Sequence, residues 1–306
     1  MSKDIIKTEL ILFLTPFIWG FGFVAGKSVL SEVGPGWLNF FRSGIAALFL
    51  LPFMLRRNER WDRKTVRHGL VIGVIMFVNF SSQIIGLQYT SAGQNAFLCT
   101  TYVVMTPFVA WAMKRVRPSA FDFICAVIAI AGIAVLSLAA DQSSFDPRGL
   151  IALGCPATAA LGFVYTDQYA KNDDTYLLTW LQIAGAAVLC GLTAPAFGAY
   201  PSAISMRGVF SLLYMGICFS GVAFLCQNYG LAHASSEHTS VVLSLESVLG
   251  WVFGVLLLHE PVTINGVIGG ALVFAAIMIS VKENSTVQKA PGEKKLTEVD
   301  ESAQNR

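Results

Sequence analysis

The chain has 306 residues, of which 55% are hydrophobic and only 13% are charged, and its formal net charge is +2. Soluble domains carry about 25% charged residues, so this composition excludes an ordinary soluble protein and indicates that the chain is embedded in a lipid bilayer. The small net charge, with no basic stripe interleaved with aromatic residues, argues against nucleic acid as a partner.

Apolar segments long enough to cross about 30 Å of hydrocarbon recur along the whole chain. They predict ten transmembrane helices, joined by short connections, over residues 10–31, 36–55, 68–89, 93–113, 118–139, 148–169, 175–197, 207–231, 238–258 and 261–281. A short segment, 1–9, precedes them, and a polar tail over 282–306 follows, which we expect to be disordered. The predicted fold class is therefore an all-α membrane protein.

The connections between these helices carry their basic residues on alternate sides of the membrane. If the N-terminus is cytoplasmic, 17 of the 21 Lys and Arg residues lie on the cytoplasmic side and only 2 lie in the outer connections. Cytoplasmic loops of membrane proteins are enriched in Lys and Arg. We therefore expect a multi-pass protein of a bacterial cytoplasmic membrane, with both termini in the cytoplasm.

The two halves of the chain are similar to each other at an offset of about 140 to 144 residues. The matching pairs include Pro16 with Pro156, Gly22 with Gly162, Gln83 with Gln227 and Pro118 with Pro261. Each half holds five predicted helices. Because five is odd, the unit over 148–281 must cross the membrane in the opposite sense to the unit over 10–139. Inverted repeats of this kind are typical of secondary transporters.

Four segments carry a resemblance to a known family, and they read TPFIWGFGFVAGK, NFFRSGIAALFLLP, SAGQNAFLCTTYVVMTPFVAW and SLESVLGWVFGVLLLHEPVTINGVIGGAL. Over about residues 10–281, the chain resembles the drug/metabolite transporter superfamily in its ten-helix, EamA-type branch. The resemblance implies two inverted five-helix repeats, a central cavity and export of small metabolites by alternating access. That family often has Glu-Pro in the ninth helix. Here Ser247 follows Glu246, so we expect no proline kink at this point.

One carboxylate, Glu246, lies near the middle of the predicted ninth helix. An ionised carboxylate in hydrocarbon costs several kcal/mol unless it is paired, hydrated or protonated. We predict that Glu246 faces a central cavity, where it binds an amine group of the substrate or carries a coupling proton. The alternative is a structural carboxylate that is hydrogen-bonded to its neighbours.

Other side chains inside the predicted helices are candidates for the lining of the same cavity, and these are Trp19, Asn79, Gln83, Asn95, Tyr102, Ser220 and Gln227. The repeat places Tyr102 opposite Glu246. It also makes Gln83 and Gln227 an equivalent pair of amides, which suits hydrogen bonding to a substrate. The alternative for these polar residues is interhelical hydrogen bonding that only supports packing.

Two basic residues inside the predicted helices, Lys27 and Arg42, are possible charge sites. Lys27 lies near the outer end of its helix and can extend its ammonium group to the interface. Arg42 can pair with an acid of a loop. If either side chain points inward instead, it would attract an anionic substrate.

These features favour a secondary transporter that exports small metabolites, amino acids or drugs, with proton coupling and a homodimer as open possibilities. An organic-anion or nucleotide-sugar-like substrate is the alternative if Lys27 and Arg42 face the cavity. An intramembrane enzyme is disfavoured, because the sequence has no HExxH motif and its cysteines lie in apolar segments without a CxxC pair. We therefore expect no catalytic residue, metal or cofactor. A sensor subunit is disfavoured because little soluble chain exists to carry a signal.

Overall fold

The computed structural model describes residues 3–56, 61–115, 117–138, 146–234, 236–276 and 278–279, and in these ranges all regular structure is helical. The helices are α1 (Lys3–Val29), α2 (Pro35–Leu55), α3 (Arg63–Gln88), α4a (Ala92–Thr100), α4b (Tyr102–Lys114), α5 (Ala120–Leu138), α6 (Pro147–Ala170), α7 (Thr175–Phe197), α8 (Met206–His233), α9a (Ser236–Leu243), α9b (Glu246–Leu258) and α10 (Ile264–Ala276).

The lengths and composition of these helices fit a membrane protein with many spans. In the described part of the chain, eight helices are long and apolar enough to cross a membrane, counting α4 and α9 as one span each. Shorter apolar helices over Ala120–Val135 and Ile264–Ala276 lie at the places of the predicted fifth and tenth spans. The predicted all-α membrane fold is confirmed. The predicted tail over 282–306 lies outside the described residues.

The fourth and ninth spans are interrupted, whereas the sequence predicted continuous helices over 93–113 and 238–258. The helix breaks at Thr101 (φ −61°, ψ −4°) and at Leu245 (φ −57°, ψ −18°). Both breaks contain a tightened turn, since Thr101 N–H donates to the carbonyl of Leu98 and Ser247 N–H donates to that of Ser244. The sequence predicted no proline kink in the ninth span, and the interruption forms there without a proline.

The backbone repeats the same local features in the two halves of the chain. Among the described residues, Arg115 (φ 62°) and His259 (φ 54°) are the non-glycine residues with positive φ, and they end α4b and α9b in the left-handed conformation. These two caps are 144 residues apart, and so are the breaks at Thr101 and Leu245. The offset found in the sequence therefore also relates backbone conformations.

The packing between the two halves is reciprocal. Helix α1 packs against α8 and α9, and its repeat counterpart α6 packs against the counterparts of those helices, α3 and α4. Close contacts need glycine at several crossings. A Cβ at Gly250 would lie 2.6 Å from the Cβ of Ala96, and one at Gly20 would lie 2.7 Å from the Cβ of Leu249. The reciprocal crossings place α1, α3, α4, α6, α8 and α9 around one central space.

Gly86→Ala is expected to destabilise the protein, because its new Cβ would lie 2.5 Å from the Cβ and 2.7 Å from the backbone nitrogen of Ala152. Overpacking of this kind costs about 1–3 kcal/mol, since backbone atoms of α6 would have to shift. Gly162→Ala is the matched control, because its new methyl would come no closer than 3.7 Å to Ile75. Thermal unfolding of the two purified variants in detergent compares them, and equal midpoints would contradict the prediction.

Candidate functional site

A cavity lies between the six helices that cross at the centre of the molecule. The space between these helices amounts to about 620 Å³ when its open mouth is included. Six of the candidate residues line it, and these are Trp19, Asn79, Gln83, Tyr102, Gln227 and Glu246. The other four candidates, Lys27, Arg42, Asn95 and Ser220, are not among its lining residues.

Glu246 lies where the two interrupted spans meet. It is the first residue of α9b and only 4% of its surface is exposed. Its Oε1 lies 3.4 Å from the hydroxyl of Thr100, the last residue of α4a, and the phenol of Tyr102 at the start of α4b lies beside it. The positive end of a helix dipole favours a carboxylate at the first turn. The break in α9 therefore gives a buried carboxylate a supporting environment.

The protein gives the Glu246 carboxylate few other partners. The hydroxyl proton of Thr100 is shared, because the same oxygen lies 2.8 Å from the carbonyl of Ala96. Among the described residues, no lysine, arginine or histidine forms an ion pair with Glu246. A buried carboxylate in contact with a cavity and without a basic partner can accept a proton or bind a cationic group from that cavity.

One wall of the cavity is aromatic. The ring of Trp19 lies 5.1 Å from that of Phe224, and the ring of Phe80 lies 5.5 Å from the same Phe224 ring. The indole N–H of Trp19 donates to the carbonyl of Phe219 at 3.1 Å, within a π-helical stretch of α8 over Met215–Val222. This wall suits the apolar part of a small molecule and leaves polar recognition to other residues.

The amides in the cavity differ in what they contact. Asn79 donates to the carbonyl of Cys155 at 2.8 Å and to the hydroxyl of Thr158 at 3.3 Å, so it joins α3 to α6. Gln83 accepts from Arg42, whereas the buried side-chain oxygen of Gln227 has no hydrogen-bond partner in the described part of the protein. The repeat-related glutamines therefore have unequal surroundings.

Arg42 lies directly behind the cavity wall. It is fully buried, its guanidinium donates to Oε1 of Gln83 at 3.4 and 3.5 Å, and its Cζ lies 3.8 Å from the centroid of the Phe80 ring. Among the described residues it has no acidic partner. In this part of the chain, its polar contact is the cavity residue Gln83.

Lys27, Asn95 and Ser220 lie away from the cavity. The ammonium of Lys27 donates to the carbonyls of Leu87 at 2.8 Å and Thr90 at 2.6 Å, where it caps the end of α3. The amide of Asn95 donates to the hydroxyl of Thr90 at 3.1 Å. Ser220 is fully buried beside Phe219 in the π-helical stretch. Lys27 and Asn95 thus hold neighbouring segments together, whereas the hydroxyl of Ser220 has no hydrogen-bond partner in the described part of the chain.

Polar contacts tie helices together at both ends of the bundle. At one end, the carboxylate of Asp167 in α6 binds Lys114 of α4b, accepts from Lys171 at 3.2 Å and accepts from the hydroxyl of Ser236 at 3.2 Å. At the other end, the carboxylate of Glu260 accepts from the backbone N–H groups that begin α4a, Ala92 at 2.5 Å and Gly93 at 3.1 Å.

A further carboxylate joins two connections at the Glu260 end. Glu32, between α1 and α2, accepts from the N–H of Ser205 at 2.6 Å and from its hydroxyl at 2.8 Å. These donors stabilise the ionised form and hold the pKa of Glu32 below its usual value. Each end of the bundle is thus tied by carboxylates that reach from one helix or connection to another.

Several residues of the site were not among the sequence candidates. The structure adds Thr100, Cys99, Cys155, Thr158 and the phenylalanines of the aromatic wall. Thr100 could have been suspected from the sequence, because it lies two residues before Tyr102, which is the repeat counterpart of Glu246. Glu260 also carries a signal, since it is a carboxylate close to the predicted end of the ninth span. The phenylalanines carry no such signal, because the chain has 22 of them and nothing in the sequence distinguishes those of the cavity.

The comparison with known proteins defines the class of the molecule as a membrane transporter. The EamA-like transporter family matches residues 6–138 and, a second time, residues 149–282, so the chain belongs to this family. The resemblance to the drug/metabolite transporter superfamily is thereby confirmed. The two matches extend over most of the chain, with one in each half.

Relatives agree with this membership, and a solved structure shares the fold. An uncharacterized transporter of Archaeoglobus fulgidus is 28% identical over 90% of this chain and 85% of its own length. The uncharacterized transporter YvbV of Bacillus subtilis is 26% identical over 93% of this chain and 94% of its own. A crystal structure with a TM-score of 0.70 covers 94% of this chain and 99% of the other at 17% identity, which shows the shared fold alone.

Proposed function

We propose that the protein is a secondary transporter that exports a small solute with a protonated amine by alternating access. The observation that carries this proposal is the position of Glu246, a buried carboxylate in the wall of the central cavity without a basic partner among the described residues. An amine of the solute would supply the missing positive charge. The aromatic wall would hold its apolar part.

The repeat supports alternating access. The Asp167 cluster ties α4b, α6 and α9a at one end, and Glu260 ties the start of α4a to the end of α9b at the other. These contacts join side chains and helix ends across the bundle, so they can break and re-form without disturbing the helices themselves. Opening one end while the other stays tied would move the solute across without a continuous pore.

The orientation of the protein in the membrane is inferred from the charges of the connections. The excess of Lys and Arg in one set of connections is expected on the cytoplasmic side, so we propose that the Asp167 end faces the cytoplasm of a bacterial cell. We propose that a proton and the amine compete for Glu246. A proton arriving from outside would release the amine outward, and loss of that proton inside would restore the site.

Flux into liposomes that contain the purified protein tests this function. A panel of radiolabelled amines, amino acids and organic acids is offered with and without a pH gradient. We expect uptake of compounds with an amine, driven by a gradient that makes the lumen acidic. Selective uptake of organic acids without an amine would contradict the role given to Glu246 and favour the anion alternative. If no compound of the panel is taken up, the proposal that the protein transports amines is wrong.

A further inference from the structure

Arg42 is a buried cation without a counter-ion in the described part of the protein. Its side chain is fully buried, its Nε has no hydrogen-bond partner, and its contacts are the neutral Gln83 oxygen and two aromatic rings. Arginine stays protonated in proteins, and an unpaired buried charge is costly. In a protein that binds a solute next to this charge, the solute itself is the available counter-ion.

Gln83 connects this charge to the cavity. Its oxygen is turned to Arg42, so its Nε2 group remains as a donor, and no described residue accepts a hydrogen bond from that nitrogen. Gln83 lines the cavity together with Glu246. A donor amide that is polarised by a guanidinium behind it suits an anionic acceptor such as a carboxylate.

The rings next to Arg42 allow the charge to stay close to the cavity. Phe80 lies 3.8 Å and Phe219 lies 5.3 Å from the guanidinium carbon, and both rings line the cavity. Cation–π contacts stabilise arginine without neutralising it. Its field therefore reaches the cavity across aromatic side chains, where screening by water is weak.

We propose that Arg42, acting through Gln83, is a positioning residue for an anionic group of the solute, so that the transported compound is a zwitterion with its amine at Glu246. This inference rests on the proposed function and adds the second charged group of the substrate. A carboxylate at Gln83 and an amine at Glu246 would together neutralise both unpaired charges of the site. A solute that is only an anion would meet the repulsion of Glu246.

Gln83→Glu tests this role with the least change of shape. The new carboxylate has nearly the volume of the amide and can pair with Arg42, so it takes the place that we assign to the carboxylate of the solute. The purified protein is assayed in liposomes with the standard protein amino acids. The best of them is then compared with its decarboxylated amine and its deaminated acid. Arg42→Gln and Arg42→Lys are assayed alongside it.

We expect the unaltered protein to favour the amino acid over the matched amine by about 10-fold or more in KM. Gln83→Glu and Arg42→Gln should remove this preference by raising KM for the amino acid much more than KM for the amine. Arg42→Lys should retain part of the preference. A purely structural role of Arg42 would instead lower the flux of both compounds equally.

The outcomes separate this inference from the proposed function. If amines are transported and the amino acid is not preferred, the inference of a zwitterionic substrate is wrong. The proposal that the protein transports amine-bearing solutes would then still stand. Retention of the full preference in Gln83→Glu and Arg42→Gln would overturn the role of these two residues. Failure to transport any amino acid, amine or acid would overturn both proposals.

Discussion

Glu246→Gln is expected to reduce transport of an amine-bearing solute by about 10- to 100-fold, with normal insertion into the membrane. The substitution keeps the size of the side chain and removes the charge that would bind the amine. Hydrogen bonds to a charged group contribute about 1.5–3 kcal/mol, which corresponds to that range of affinity. Uptake into liposomes, with protein amounts matched by immunoblot, measures the loss.

The pH profile distinguishes a binding site from a structural carboxylate. In the unaltered protein, acid on the side to which the cavity is open should protonate Glu246 and weaken amine binding, so binding falls as pH falls. Glu246→Gln cannot titrate at this position, and its residual binding should be independent of pH over the same range. Binding of a labelled amine to the purified protein across a pH series measures both profiles.

Ser247→Ala is the control for Glu246→Gln. Ser247 is fully buried one residue further along α9b, its hydroxyl donates to the carbonyl of Ser244 at 2.8 Å, and it does not line the cavity. The Ser247→Ala variant should transport at nearly the normal rate. If Glu246→Gln also transports normally and keeps its pH dependence, Glu246 is a structural group and the proposed site is wrong.

Substitutions at the two ends of the cavity are expected to have opposite effects on access. Asp167→Asn removes the charge that binds Lys114 and Lys171, which frees α4b from α6 at one end. Glu260→Gln leaves only one side-chain oxygen for the N–H groups of Ala92 and Gly93 at the other end. Each change should shift the population toward the state that is open at the altered end.

Cys155 can report this access, because it lines the cavity and is a free, buried thiol. In a variant that keeps Cys155 as its single cysteine, a charged maleimide is added from one side of oriented vesicles at a time. Asp167→Asn should raise the labelling rate about 10-fold from the cytoplasmic side, and Glu260→Gln should do so from the other side. Both should slow transport, because one state becomes overpopulated.

Lys171→Gln is the control for the end of the bundle that contains Asp167. The Lys171 side chain is 40% exposed, and exposed ion pairs contribute little, so its removal should change labelling only slightly. If Asp167→Asn and Glu260→Gln both speed labelling from the same side, the two ends of the cavity do not open separately. That result would indicate that both substitutions loosen the whole bundle.

The sequence alone determined the membrane class, the approximate positions of the spans and the internal repeat. Each depends on properties that are local or linear along the chain, such as runs of apolar residues and the nearly constant offset between matching positions. Glu246 was also evident, because one carboxylate in a long apolar segment is conspicuous without knowledge of its neighbours. Its repeat relation to Tyr102 came from the same offset.

Only the tertiary structure decided which face of each helix meets the cavity. In a membrane, the lipid-facing and the buried faces of a helix are both apolar, so hydrophobic periodicity gives little information about orientation. From the sequence, Arg42 and Lys27 were therefore both possible charge sites, and their orientation could not be predicted. In the folded chain, Arg42 lies behind Gln83, whereas Lys27 caps α3.

The interruptions of α4 and α9 also depended on tertiary contacts. Neither break has a proline, so no single residue in the sequence predicted it. The half-helices meet one another where Thr100 approaches Glu246 and where Gly250 packs on Ala96. These contacts hold the half-helices against one another, and they exist only after the two repeats have packed together.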